Sequence, residues 1–199
     1  MPSAEQITRH TDDDPDSIEW VGVDPPPRPI EIVEPDPTWP AQFAALAARI
    51  GEALGAHALA VEHVGSTSVP GLAAKPIIDI DVTVADPRDE STYVPALEAA
   101  GFRLRIREPA WHEHRLLVAD DPRVNVHVFG PDSPELVRHR MLRDWLIEHP
   151  DDRDRYAAAK RESAVASNAG GEAVMAYNQR KEPVVREILD RMFRAHGLL

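Results

Sequence analysis

The chain has 199 residues, 43% of them hydrophobic, and a formal net charge of −12 at pH 7. This length and apolar content predict one domain with a buried core, and no apolar run is long enough to predict a membrane span. The absence of cysteine excludes disulfides, thiolate metal sites and cysteine nucleophiles. The acidic excess repels a phosphate backbone, so general binding to DNA or RNA is disfavoured. We therefore expect a cytoplasmic protein without membrane attachment.

The first 28 residues are acidic and end in a proline-rich stretch. Five Asp and two Glu stand there against two Arg, which gives this segment a net charge of −5. It shows neither helical nor strand periodicity, and its few apolar side chains cannot offset the entropy lost on ordering. We predict a flexible acidic tail over residues 1–28 and one folded domain over residues 29–199.

The folded part is expected to begin with a short strand at residues 30–33. Apolar residues at helical spacing then predict a helix from Thr38 to about Leu54. Two strands follow, ALAVEHV (58–64) and PIIDIDVTV (76–84), and the loop GSTSVPG (65–71) separates them.

The second half begins with an expected helix over residues 91–100. Three strands follow at FRLRIRE (102–108), EHRLLVA (113–119) and VNVHVF (124–129), and the turn DDPR joins the last two. From Pro134 onward the pattern is helical, with breaks at Pro150 and NAGG (168–171). This order predicts an α+β fold, a mixed β-sheet flanked by helices with a C-terminal helical segment.

Two aspartates stand at alternate positions of the apolar strand PIIDIDVTV. Residues two apart share one face of a strand, so Asp79 and Asp81 project together while Ile78, Ile80 and Val82 face the core. Adjacent carboxylates repel each other unless a cation lies between them or one is protonated. The pair therefore indicates a divalent metal site. The alternative is an exposed sheet face on which the acids only maintain solubility.

The loop before this strand has the composition of an anion-binding turn. Gly65 allows a ligand to approach the backbone closely, and Ser66, Thr67 and Ser68 supply hydroxyl and backbone N–H groups. A phosphate loop beside a metal-binding strand is what nucleotidyl transfer requires. The alternative is an ordinary turn in which the same residues serve as turn formers.

The spacing of these two motifs resembles the signature of the nucleotidyltransferase superfamily of DNA polymerase β-like proteins. More narrowly, VEHVGSTSVPGLAAKPIIDIDV, with flanking similarity over about residues 30–192, resembles the GrpB family, which also occurs as a C-terminal domain of bacterial dephospho-CoA kinases. The resemblance implies a nucleotidyltransferase-like fold that transfers a nucleotidyl group from an NTP to a small-molecule acceptor. It also implies Mg²⁺ or Mn²⁺ at Asp79 and Asp81, with the nucleotide phosphates on Gly65, Ser66 and Ser68.

The sequence departs from the superfamily pattern on the strand VNVHVF. Superfamily members usually carry a third carboxylate on the matching strand, but here Asn125 and His127 share the relevant face. The GrpB pattern resembles H-x-H at this point, which His127 fits and Asn125 does not. His127 is a candidate metal ligand or general base, and a purely structural histidine is the alternative. Other histidines, at positions 63, 112 and 114, lack the spacing of a transition-metal site.

Several basic residues are further candidates. Lys75 lies within the motif and can reach a phosphate as a point charge. Arg115 precedes the strand of His127 and is either a pocket residue or part of a salt bridge. Lys160 and Lys181 match recurrent helix positions of the family, and they are either substrate contacts or solvated lysines.

Three hypotheses follow from these patterns. The first is a Mg²⁺-dependent nucleotidyltransferase that uses Asp79, Asp81, Lys75 and His127. The second is a module that binds a nucleotide or phosphorylated ligand without transfer, motivated by the missing third carboxylate. The third, drawn only from the fused relatives, is an accessory domain associated with coenzyme A biosynthesis.

Overall fold

The computed structural model describes residues 1–11, 17–22, 28–172 and 174–199. Within these ranges the strands are β1 (Glu19–Trp20), β2 (Ala60–Val64), β3 (Ile78–Thr83), β4 (Arg103–Glu108), β5 (His114–Asp120) and β6 (Arg123–Phe129). The helices are α1 (Ala4–Thr8), α2 (Trp39–Leu54), α3 (Val94–Ala99), α4 (Pro134–Glu148), α5 (Pro150–Gly170) and α6 (Val174–Ala195).

The strands form one mixed sheet in the order β1-β4-β5-β6-β3-β2. β3 runs parallel to β6 and antiparallel to β2, and β4, β5 and β6 pair antiparallel. The predicted α+β class and the C-terminal helical segment are therefore confirmed. β3 lies next to the edge strand β2 and is paired on both sides, with β2 and with β6.

One face of the sheet packs on α2 and α3 and forms the main core. Apolar residues of β3 and β6 alternate onto this face, where they meet the buried face of α2. The residues involved include Leu46, Ile50, Ile78, Ile80, Val82, Val124, Val126 and Val128. This burial leaves the opposite face of β3 and β6 to the polar side chains of the two strands.

The C-terminal helices build a second apolar cluster next to the loop that follows β2. Val69, Leu72 and Ala73 from this loop pack with residues of α4, α5 and α6, among them Trp145, Ala157, Ile188, Met192 and Phe193. This cluster fixes α5 and α6 beside the Gly65 turn. It thereby brings helical residues from the end of the chain to the polar face of the sheet.

The prediction that residues 1–28 hold no regular structure is wrong for the described part of that segment. Ser3 caps α1 through a reciprocal capping box with Gln6, and Ile7 is buried against the second cluster. β1 pairs with β4 and forms one edge of the sheet. Residues 12–16 and 23–27 of the predicted tail lie outside the described residues, and the division into a tail and a domain stays a prediction.

Two other elements differ from expectation. The strand predicted at residues 30–33 is reduced to a single bridge between Val33 and Ala74, because the neighbouring prolines prevent a longer ladder. The helix predicted at residues 91–100 is divided into a 3₁₀ turn (Glu90–Thr92) and α3, with Pro95 in the first turn of α3. Across the described ranges, no helix combines the length and apolarity required to cross a bilayer.

Replacement of Ile80 by alanine tests the strand alternation that separates core from site. Ile80 is 0% exposed, so Ile80→Ala should lower the free energy of unfolding by about 2–5 kcal/mol through lost burial and a residual cavity. Urea denaturation measures the change. The control Val165→Ala lies on α5, where Val165 is 71% exposed, and it should change stability by less than about 0.5 kcal/mol. Equal effects of the two variants would contradict the assigned faces.

Candidate functional site

The polar face of the sheet is centred on Asp79. The parallel register of β3 and β6 sets Asp79 beside Asn125 and Asp81 beside His127, so all four residues share one face as the alternation predicts. The Asn125 amide donates to Oδ1 of Asp79 at 2.8 Å, and Nε2 of His127 lies 3.7 Å from the same oxygen. Burial opposes ionisation of Asp79, but these two neighbours outweigh it and lower the pKa of the carboxyl group.

Gly65 allows the turn after β2 to pass directly over Asp79. Its φ of +68° lies in the region that favours glycine, and a Cβ at this position would stand 2.5 Å from Oδ2 of Asp79. A side chain at position 65 would therefore collide with the carboxylate. The predicted proximity of the glycine turn to the first aspartate is thus present in the structure.

Two residues of the turn do not face the cavity. The Thr67 hydroxyl donates to the carbonyl of Ile77 at 3.2 Å and contacts His63, and Thr67 is 4% exposed. The Ser68 hydroxyl donates to the carbonyl of Gly65 at 2.6 Å. Both hydroxyls are used within the turn, so their predicted role as phosphate ligands is wrong for this geometry. Ser66 and Gly65 remain as the turn's contribution to the site.

A cavity of about 330 Å³ lies between the polar face of the sheet and the helices α4, α5 and α6. It is lined by residues from the turn, from β3, β6 and the β4–β5 loop, and from the three helices. They are Val64, Gly65, Ser66, Lys75, Ile77, Asp79, Trp111, Asn125, His127, His139, Tyr156, Lys160, Tyr177, Asn178 and Lys181. The cavity therefore brings Asp79 together with residues up to 102 positions later in the sequence, at Lys181.

All three lysines of the chain line this cavity. The sequence contains 19 arginines but only three lysines, Lys75, Lys160 and Lys181. The Lys160 ammonium donates to the Ser66 hydroxyl at 2.6 Å and to the Ala73 carbonyl at 3.1 Å. Within the described ranges, none of the three ammonium groups forms an ion pair with a carboxylate. The cavity thus contains a cluster of three cationic groups that form no ion pair with a carboxylate of the described residues.

Two tyrosines support the ammonium groups. The Lys160 Nζ lies 4.0 Å from the ring centroid of Tyr156, and those of Lys75 and Lys181 lie 5.0 and 5.6 Å from that of Tyr177. Burial lowers the pKa of Lys75 to about 8 and that of Lys160 well below its ordinary value. The neighbouring lysine charges add to this effect, and the charge of Asp79 opposes it. A bound anion would favour the charged form of both groups.

Asp81 is closed off from the cavity. It is 1% exposed, its Oδ2 accepts a hydrogen bond from Nδ1 of His139 at 2.8 Å, and its Oδ1 is buried without a partner among the described residues. The expectation that both carboxylates open onto one pocket therefore holds for Asp79 alone. His139, on α4, covers the second carboxylate and is a site residue that the sequence patterns did not identify. The only sequence indication is its place in the SPELVRHRMLRDW stretch shared with the GrpB pattern.

The charge on His139 follows from its surroundings. Burial disfavours a charged ring, but Asp81, Glu135 and Asp79 outweigh it and raise the pKa of His139 to about 9. The ring is then protonated at neutral pH and forms an ion pair with Asp81. This ion pair gives Oδ2 of Asp81 a hydrogen-bond partner without any ligand, whereas Oδ1 has none among the described residues.

Arg115 does not belong to the cavity. It pairs in register with Val128, so it lies on the opposite face of the sheet from His127. Arg115 is 6% exposed, and its Nε donates to Glu90 at 2.7 Å. The prediction of Arg115 as a ligand residue is therefore wrong, and the salt-bridge alternative is confirmed.

Comparison with known proteins agrees with this geometry. A family model described as GrpB protein matches residues 29–191. The chain belongs to the GrpB family. It is 44% identical over 191 residues to a UPF0157 protein of Halalkalibacterium halodurans, covering 96% of each chain.

Other members extend the family comparison to a solved structure and to a longer protein. The crystal structure of the conserved protein GrpB from Enterococcus faecalis matches with a TM-score of 0.66 at 28% identity, covering 82% of this chain and 99% of that one. A dephospho-CoA kinase of Mycolicibacterium paratuberculosis is 35% identical over 189 residues, which are 82% of this chain and 46% of the kinase. This GrpB-family chain therefore matches less than half of that kinase.

The divalent cation that the family resemblance implies can be tested against the residues present. No group of three or more His, Asp or Glu in the described parts of the chain is arranged to hold a metal ion. Mg²⁺ is nevertheless commonly held by one or two carboxylates completed by substrate phosphates. Asp79 opens onto the cavity, and the buried Oδ1 of Asp81 lacks a donor among the described residues. These two carboxylates fit such an ion, and its presence stays a prediction.

A Gly65→Ala variant tests the close approach of the turn to Asp79. Gly55 provides a matched control, because it has a similar φ of +54° but no atom within 4 Å of the position that a Cβ would take. Both variants should lose about 1–3 kcal/mol, because a positive φ with a strongly negative ψ at each position is a backbone conformation almost restricted to glycine. Gly65→Ala should lose about 1–3 kcal/mol more because of the collision with Asp79. Chemical denaturation measures both, and equal losses would show that the turn does not press on the carboxylate.

The His139–Asp81 pair predicts a pH dependence of stability. Because folding raises the pKa of His139 from about 6.5 to about 9, its contribution is fully present below pH 6.5 and is lost as the pH rises through 9. The contribution is on the order of 3 kcal/mol.

Denaturation of the wild type and of His139→Gln in metal-free buffer measures this contribution. The groups that face His139 are Asp81, Asp79, Glu135 and His127. The stability difference between the two proteins should shrink from pH 6 to pH 10. His57→Gln, at an exposed histidine, is the control. A difference that stays constant over this range would rule out the ion pair.

Proposed function

We propose that this chain binds a nucleoside triphosphate in the three-lysine cavity and transfers its nucleotidyl group to a hydroxyl of a small acceptor. The observation that carries the proposal is the convergence of every lysine of the chain on one cavity whose opposite wall carries Asp79 and His127. In the described parts of the chain, side-chain ion pairs are formed by arginine and histidine, whereas the lysines line the cavity. The family resemblance to nucleotidyltransferases supports the same assignment.

The phosphates would lie between the Gly65–Ser66 turn and the ammonium groups. Lysine ammonium groups are compact point charges suited to phosphate oxygens, and Lys160 already donates to Ser66 at the base of the turn. Trp111 lines the same cavity and offers an aromatic face for a base. A triphosphate would supply the negative charge that the lysines lack.

The chemistry follows from the residues on the strand wall. The acceptor oxygen would attack the α-phosphorus while its proton passes to Nε2 of His127. A new P–O bond would form, the bond to the pyrophosphate would break, and the ammonium groups would neutralise the charge on the leaving pyrophosphate. Asn125 holds the Asp79 carboxylate in place. A divalent cation, when held by Asp79 and Asp81 with the ligand's phosphates, would neutralise phosphate oxygens.

The closed position of Asp81 supports a second candidate. One carboxylate of the pair is hydrogen-bonded to His139 and lies outside the cavity lining, and no third carboxylate stands at position 125. A site with these features can bind a nucleotide or phosphorylated ligand and not turn it over. Turnover distinguishes the two candidates.

Calorimetric titration with each of the four NTPs, with and without Mg²⁺, tests binding. Lys160→Gln and Lys181→Gln should each weaken binding roughly tenfold or more, because a hydrogen bond to a charged group contributes about 1.5–3 kcal/mol. Arg180→Gln is the matched control, since it removes the same charge one residue away from Lys181 in an ion pair with Glu172. Near pH 8, the pKa of Lys75 in the free protein, the measured enthalpy should also depend on the ionisation heat of the buffer, because a bound anion favours the charged form of this lysine.

Pyrophosphate release with a metabolite extract then tests transfer. Release by the wild type and its loss in Asp79→Asn would support the transferase, whereas binding without release supports the binding module. Absence of NTP binding to the wild type, or equal binding by the lysine variants, would overturn the proposal.

A further inference from the structure

Two side chains, His114 on β5 and Glu108 on β4, extend a chain of polar contacts from His127 across the sheet. Nδ1 of His127 lies 3.0 Å from Nε2 of His114, and Nδ1 of His114 lies 2.6 Å from Oε2 of Glu108. The three residues stand on the adjacent strands β6, β5 and β4, and Glu108 pairs with His114 in register. At the other end of the chain of contacts, Nε2 of His127 points towards Asp79 in the cavity.

The hydrogen bonds of this chain fix where each proton lies. Burial raises the pKa of Glu108 from its ordinary value, and the charge of His127 opposes this. Above that pKa the carboxylate only accepts, so Nδ1 of His114 carries a proton. His114 is 3% exposed, and burial lowers its pKa well below the ordinary value, so the ring is neutral and its Nε2 is an acceptor. Nδ1 of His127 must then donate to it. A neutral His127 is left with an unprotonated Nε2 that faces the cavity.

Oδ1 of Asp79 lies 3.7 Å from Nε2 of His127, beyond hydrogen-bond distance, and aromatic side chains pack around the two rings. His114 stacks on Phe129 and meets the edge of Trp111, and the His139 ring stands 6.2 Å from that of His127. The rings are thus held by aromatic contacts as well as by hydrogen bonds. A protonated Glu108 would reverse every hydrogen bond of the chain, and the two arrangements differ in the tautomer of both rings.

We propose that Glu108 and His114 are positioning residues that hold His127 in its Nδ1–H tautomer, with Nε2 free to accept the proton of an attacking hydroxyl. The catalytic consequence rests on the proposed function, whereas the tautomer itself does not. An isolated neutral histidine favours the Nε2–H tautomer, in which the nitrogen that faces the cavity already carries a proton and cannot serve as a base.

Nuclear magnetic resonance of the ¹⁵N-labelled full chain reads the tautomer directly. Two-bond ¹H–¹⁵N correlations should show Nδ1–H on both His114 and His127 about two pH units above the ordinary histidine pKa of about 6.5. In His114→Phe, which retains an aromatic ring against Phe129, His127 should change to the Nε2–H form. His57→Phe, at an exposed site, should leave the His127 signals unchanged. Nε2–H on His127 in the wild type, or no change in His114→Phe, would overturn the proposal.

The pyrophosphate assay tests the catalytic consequence. His114→Phe should lower kcat roughly 100-fold with little change in KM for the nucleotide, because only proton transfer in the transition state is affected. Glu108→Gln, whose carbonyl still accepts from His114, should retain more activity than Glu108→Ala. Equal kcat in the wild type and His114→Phe would overturn the positioning role. If no variant and no wild type released pyrophosphate while the tautomer were as expected, the proposed transfer would fail and the tautomer assignment would stand.

Discussion

The structure depends on the burial of charged side chains on one face of β3. An apolar opposite face fixes the strand against α2 and α3, so Asp79 and Asp81 must project towards the C-terminal helices. A buried charge without a partner costs several kcal/mol, and each carboxylate accordingly has one, Asn125 for Asp79 and His139 for Asp81. The alternation of a single strand therefore determines which residues of β6 and α4 are needed around it.

On the opposite wall of the cavity, the buried charges of the lysines lack such charged partners among the described residues. The lysines there are held by a hydroxyl, a carbonyl and two aromatic rings instead of carboxylates. Arginine serves in the ion pairs of the described chain, among them those with Glu90, Asp152 and Glu172, because its planar fork suits fixed bidentate pairing. Lysine is a point charge whose pKa moves readily when buried. Cationic groups kept without anionic partners are typical of a site that a ligand completes.

Local sequence patterns predicted most of the sheet and one half of the site. Alternation located β3 and the face of Asp79, and Gly65 was identified by its need for a close backbone approach. His139, Tyr156 and the direction of Lys160 were beyond such reasoning, because periodicity gives the face of a helix and not the element on which that face packs. Those positions depend on the apolar cluster of α4, α5 and α6 with the loop after β2.

The predictions were wrong where a single contact determined the structure. Composition averaged over residues 1–28 concealed the capping box and the single buried side chain that order α1. Arg115 stands one position before the residue that pairs with His127, so its face is assigned only once the register of β5 is known.

The two aspartates of the motif have different surroundings, and this difference limits the chemistry that the site can perform. Asp81 is neutralised by an imidazolium from α4, whereas Asp79 faces the cavity beside an imidazole whose other nitrogen is fixed by His114. Where a polymerase-type site gathers carboxylates around two cations, this arrangement places one histidine beside each carboxylate. Further positive charge to neutralise a phosphate ligand would then come from the lysines. Because two of the three, Lys160 and Lys181, lie on α5 and α6, the chemistry of this cavity depends on the helices as well as on the aspartates.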